Sequence, residues 1–114
     1  MRFESEVVSE EILPAIRKII AESLHRDYGH TQEEIANTMD LTQPAVSQYL
    51  KGKRADSDLV EKLTDDPQIQ LLVEDAVSKA AKNESFVQEM RDILKTGRDK
   101  GLFRERFEDS KRVI

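Results

Sequence analysis

Apolar residues recur at spacings of three and four along most of this chain, and no stretch sustains the period-two alternation of a strand. In "SEEILPAIRKIIAESLHRDYG", Ile12, Ile16, Ile19 and Ile20 form one stripe with Leu13 and Leu24 beside it, which predicts an amphipathic helix. Pro14 sits inside that pattern. Proline is tolerated in a first helical turn and disrupts an interior one. Either the main helix starts near Leu13, the preferred expectation, or a short helix meets it there at a kink. Gly29 is a good stop.

Two short helices are predicted next. Thr31 with Glu34 three residues on reads as a reciprocal cap, and Ile35, Ala36 and Met39 form the inner face. Thr42 caps the second helix, Pro44 lies in its first turn, Val46, Tyr49 and Leu50 face inward, and Gly52 ends it. The turn between them spans about three or four residues, so the pair must meet at a steep angle.

Beyond Arg54, "ADSDLVEKLTDD" predicts a helix of about two turns, capped by Asp56 or Ser57. From Pro67, the positions Ile69, Leu72, Val73, Ala76, Val77 and Ala80 mark another helix, broken at Asn83. Residues 84–96 predict a further helix with Phe86, Val87, Met90, Ile93 and Leu94 inward. Gly97 and Gly101 interrupt the chain after it. Leu102, Phe103 and Phe107 anchor a last helical turn or two, and the final residues read as loose. The expected class is all-α, divided into an N-terminal unit at 1–66 and a helical extension at 67–114.

Composition narrows the chemistry. The 114 residues suit one domain and contain no cysteine, which excludes disulfides, thiolate metal sites and thiol catalysis. His25 and His30 are separated by a turn and have no third ligand at a convincing spacing. The adjacent acids Asp65–Asp66 and Glu74–Asp75 are commonplace on exposed helices and turns. No nucleophile–histidine–acid grouping and no phosphate loop is visible. No enzyme, cofactor or metal site is expected. The acidic start is unlike a secretory or mitochondrial leader, and the longest apolar runs fall far short of a membrane span. A cytoplasmic protein without membrane contact is expected.

The net charge of -5 opposes non-specific coating of nucleic acid. Charge is segregated, however. Residues 42–55 carry Lys51, Lys53 and Arg54 and no acid, whereas residues 56–75 are dominated by acids, with Lys62 the one base. A second basic segment holds Arg98, Lys100, Arg104 and Arg106. It would reach flanking phosphates or balance the acidic segment across an interface.

The stretch "TQEEIANTMDLTQPAVSQYLKGKR" answers to a specific set of physical demands. Ala36 is small enough for two helices to cross closely. Asp40 stands where the turn needs a left-handed backbone, a place glycine fills best and aspartate at modest cost. Val46 provides an apolar underside, and Gln43, Ser47 and Gln48 provide a short polar outer face continued by Lys51. Two structural helices would share the apolar spacings. The two caps, the tight turn, the acid-free second helix and the "KGKR" at its end set this pair apart.

The segment resembles the helix-turn-helix of phage-repressor-like, Cro/C1-type transcriptional regulators, through the pattern "T/S-Q-x-x-V/I-S-x-Y/W-L-x-G-K/R". With "EEILPAIRKIIAESL" before it, it is similar to archaeal regulators whose helix-turn-helix domain also occurs fused to a thiamine-phosphate synthase domain. The resemblance covers about residues 5–55. Such relatives often carry a cysteine pair near the equivalent of "MRDILKTGRDKGLF". This chain has none, so neither metal nor redox sensing is expected there, and the fused domain is not expected either.

The resemblance implies a lambda-repressor-like bundle and a role for each residue of the motif. Gln43, Pro44, Ser47 and Gln48 are the candidate base contacts, with Gln43 suited to adenine. Thr31, Gln32, Thr42, Lys51, Lys53 and Arg54 are the candidate phosphate contacts, and Gln32 is also expected to brace Gln43. Capping alone would explain both threonines, helix initiation would explain Pro44, and Tyr49 reads as core. One such unit covers half an operator turn, so a homodimer on palindromic double-stranded DNA is expected, with the second half as the dimerisation arm. The alternative is a helical protein-interaction or antitoxin-like adaptor subunit whose DNA contact is secondary.

Overall fold

A computed structural model describes residues 2–108 together with the backbone of Ser110 and Lys111. Helical backbone begins at Glu4 and continues to Tyr28 in three parts: α1 (Glu4–Val7), a π turn (Val8–Ile12) and α2 (Leu13–Tyr28). Both arrangements expected around Pro14 are thus partly present. The α-helix proper starts at Leu13 with Pro14 in its first turn, but the chain entering it is already helical, with Ile12 at φ −82° and ψ −51°. In an unbroken α-helix the Pro14 ring would press on the carbonyl one turn earlier. The wider turn relieves this conflict, and the Leu13 amide donates to Val8, five residues back.

α2 is the spine of the fold. Ile12 and, along α2, Ile16, Ile20 and Leu24 are fully buried, and α2 touches α3 (Gln32–Met39), α4 (Gln43–Leu50), α5 (Ser57–Asp65) and α6 (Pro67–Ala81). One continuous apolar cluster runs from Val7 to Phe103 and takes in Ile69, Val73, Ala76, Val77 and Ala80 of α6. Asp56 caps α5, and Asp66, ahead of Pro67, caps α6 by accepting the Ile69 amide at 3.0 Å. No helix among the described residues is long and apolar enough to cross a membrane.

The C-terminal part departs from the sequence pattern in three ways. The helix expected over 84–96 is α7, Val87–Asp99, because Asn83 takes a left-handed φ of 59° and residues 84–86 form a connection. Val87, expected inward, is 56% exposed. Gly97 does not interrupt the helix. It is buried within α7, and a Cβ there would stand 2.4 Å from Cζ of Phe103. The missing side chain is the space into which the Phe103 ring packs. The break comes instead at Gly101, φ 72°, before α8 (Arg104–Phe107). Two short strands, β1 (Arg2–Phe3) and β2 (Ser110–Lys111), pair in parallel, Arg2 beside Ser110 and Phe3 beside Lys111. Asp109 and residues 112–114 lie outside the described residues, and so does most of the tail expected to be loose.

Among the described residues, Arg98, Lys100 and Arg106 of the second basic segment pair with acids of the chain. Arg106 lies 3.0 Å from Glu11 and 3.2 Å from Asp56, Lys100 lies 2.9 Å from Asp66, and Arg98 lies 2.9 Å from Glu4. The Arg106 bond and the amides of α5 hold the Asp56 carboxyl below the usual carboxylate range. The Lys100 bond and the Ile69 amide do the same for Asp66. Partial burial pushes Glu11 upward, but bonds from Arg106 and Arg2 outweigh it and leave that carboxyl lowered as well.

Gly97→Ala forces the new methyl against Phe103 and is expected to destabilise the fold by about 1–3 kcal/mol in urea denaturation. Adding Phe103→Leu should recover part of that loss. The lowered carboxyls stabilise the fold above the ordinary carboxylate range, and that contribution disappears as pH falls through their native pKa values. The urea midpoint should therefore drop between about pH 7 and about pH 3. Arg106→Gln should lower the midpoint at neutral pH and flatten that drop.

Candidate nucleic-acid interface

The α3–α4 pair is built from local hydrogen bonds that its sequence dictates. At the start of α3 the Thr31 hydroxyl oxygen accepts the Glu34 amide at 3.1 Å, and the Glu34 carboxylate accepts the Thr31 amide at 2.9 Å. The Thr31 amide and hydroxyl hold the Glu34 carboxyl below its ordinary range. α3 ends at Asp40, whose backbone is left-handed at φ 54° and ψ 48°. The Leu41 amide then reaches back to the Ala36 carbonyl at 2.9 Å, which closes the end of α3 and leaves residues 40–42 as the whole connection to α4. Thr42 opens α4 by accepting the Ala45 amide at 3.2 Å.

Ala36, Ala45, Val46 and Tyr49 are buried in or beside this crossing. Ala45, Val46 and Tyr49 bury one face of the eight-residue α4, which packs on α2 and α3, and leave the other face open. Pro44, Ser47, Gln48 and Lys51 recur at i, i+3, i+4 and i+7, which puts them on one stripe, and Gln43 flanks it. Gln43, Pro44, Gln48 and Lys51 are exposed and Ser47 is half-buried. No acid lies on α4. The structure thus brings the four candidate base contacts to one open face.

The end of α4 decides where the bases of "KGKR" go. Gly52 is left-handed at φ 74°. Its amide donates to Tyr49 at 3.0 Å, and the Lys53 amide donates to Gln48 at 2.9 Å. The chain therefore folds back over the last turn of α4. Arg54 comes to lie beside the outer stripe, where its Nε donates to Oε1 of Gln48 and its Cζ stands 5.9 Å from the centre of the Tyr49 ring. Sequence reasoning treats Gln48 and Arg54 as separate contacts. Gly52 signals a turn after α4, but the pairing itself depends on the path that the chain takes beyond it.

The remaining candidates are less tightly grouped. Gln32 opens α3 and is half-buried, and it makes no hydrogen bond to Gln43, so the expected brace is not formed. The hydroxyl oxygens of Thr31 and Thr42 serve as caps, which leaves each hydroxyl proton as the group available to a phosphate. Lys51 and Lys53 are exposed and join no ion pair among the described residues. His25 Nδ1 lies 3.0 Å from the carbonyl oxygen of His30 across the α2–α3 turn.

Compared with protein-family models, with curated proteins and with solved structures, the chain matches none.

Proposed function

We propose that this chain is a sequence-specific, double-stranded DNA-binding transcriptional regulator. The observation that carries the reading is the open, acid-free outer face of α4, pinned on its inner side by Ala45, Val46 and Tyr49. On this reading α3 and α4 are the helix-turn-helix of a lambda-repressor-like, Cro/C1-type bundle, as the sequence resemblance implies. A helix with its side chains is about 10–12 Å across and the major groove is about 12 Å wide, so the open face of α4 matches the groove in size. Gln43, Pro44, Ser47 and Gln48 then meet base edges, and Thr31, Gln32, Thr42, Lys51, Lys53 and Arg54 meet the backbone.

A single such face reads half a site. A homodimer with its two α4 helices about 34 Å apart would read a palindrome. Leu71 of α6 and Val87 of α7 are 64% and 56% exposed, and these apolar side chains in the C-terminal half are the material for a contact between two copies. The same two residues favour the second reading, a helical interaction or antitoxin-like adaptor subunit in the cytoplasm for which DNA contact is secondary. Charge reversal on α4's far end separates the two.

The test is fluorescence anisotropy with a duplex recovered by selection from a random pool. Lys51→Glu combined with Lys53→Glu should weaken the complex at least about ten-fold, and the slope of log K against log salt should fall by about 0.9 for each lost phosphate contact. Undiminished binding by the doubly reversed variant would remove α4 from the interface and leave the adaptor reading.

A further inference from the structure

We infer that Arg54 determines which groups Gln48 offers to a base pair, so that this position reads an acceptor edge, guanine O6 and N7 or thymine O4, and disfavours adenine. The inference rests on the DNA-binding reading above and assigns Arg54 a positioning role within it.

A guanidinium has five N–H donors and no acceptor. The Gln48 atom that meets Arg54 Nε is therefore the carbonyl oxygen, which fixes the orientation of an otherwise ambiguous carboxamide. The Nε2 hydrogens point away from that contact. Glutamine reads adenine by two bonds at once, accepting from N6–H and donating to N7. Here Oε1 is already engaged, and a full positive charge stands beside it. The adenine N6 donor would approach a cation, and so would the cytosine N4 donor. An acceptor edge meets only the Nε2 hydrogens, which the Arg54 bond polarises further.

The local fold keeps this arrangement in place. Left-handed Gly52 and the Lys53 amide bond to the Gln48 carbonyl anchor the chain on either side of the turn. The guanidinium rests over the buried Tyr49 ring, which limits where it can swing. Only Nε is used by Gln48, so both terminal nitrogens of Arg54 stay available to a phosphate. One side chain then joins a backbone contact to a base-reading one.

Selection from a random duplex pool, run with the full chain and three variants, tests this. Gln48→Ala identifies the base pair in question by losing preference there. The wild-type chain should favour guanine or thymine over adenine at that pair by about five-fold. Arg54→Met keeps the length and apolar contact of the side chain while removing its donors and charge. It should narrow that preference to within about two-fold or pass it to adenine. Lys53→Met should lower the salt slope by a similar amount to Arg54→Met and leave the base preference alone, which separates positioning from phosphate binding. A wild-type preference for adenine, an unchanged preference in Arg54→Met, or an equal change in Lys53→Met overturns the inference while leaving the DNA-binding reading intact. Recovery of no enriched sequence by the wild-type chain overturns that reading and this inference with it.

Discussion

The left-handed backbone at Asp40 is the constraint on which the arrangement of α3 and α4 depends. With φ at 54° the chain turns from one helix to the next in three residues, and the amide of Leu41 closes on Ala36. A right-handed residue at this position would extend α3 rather than end it. Ala36 on α3 and Val46 on α4 are both buried in the apolar cluster that α2 runs through. Once those are buried, the register of α4 is set, and the outward direction of Gln43, Pro44, Ser47 and Gln48 comes from helical geometry. A non-glycine residue in this conformation carries a modest strain, which the caps at Thr31 and Thr42 and the apolar crossing offset.

A chain with an excess of acids can still present a basic surface if its acids are engaged elsewhere. Asp56 and Asp66 act both as helix caps and as partners of Arg106 and Lys100. Glu4 and Glu11 take Arg98, Arg106 and Arg2. These contacts tie α8 and the last turn of α7 to the N-terminal helical run and to the starts of α5 and α6. Within the chain, Arg98, Lys100 and Arg106 each already face an acid, a pairing that neither role expected of the second basic segment describes. Lys51 and Lys53 are outside this network, so their charge faces solvent beside α4. Exposed pairs of this kind contribute little stability singly. Their effect here is to distribute charge.

Features that depend on neighbours along the chain are legible in the sequence. The Thr31–Glu34 cap, the Thr42 cap, Gly29 and Gly52 as stops, and the inner faces of α2, α3, α4 and α6 all rest on spacings of three or four residues. The π turn is half legible, because Pro14 signals a conflict without indicating how the chain relieves it. Gly97 misleads for a different reason. A glycine inside a helical pattern looks like a break unless one knows that Phe103, past the end of the helix, folds back onto it. Val87 has an apolar side chain at an inward spacing, but the helix begins at Val87 itself, and this first residue is left exposed. The pairing of Arg54 with Gln48 depends on the path of the chain after Gly52. All ten candidate contact residues can be named from sequence, and the relation between these two cannot.

The central claim is that the outer face of α4 is the surface that meets nucleic acid. Backbone amide chemical-shift mapping of the ¹⁵N-labelled full chain, titrated with a mixed-sequence duplex at low salt, tests it most directly. The largest shifts are expected on residues 43–54, with a second group at Thr31 and Gln32. Shifts centred instead on the surface around Leu71 and Val87, with α4 unmoved, would contradict the claim.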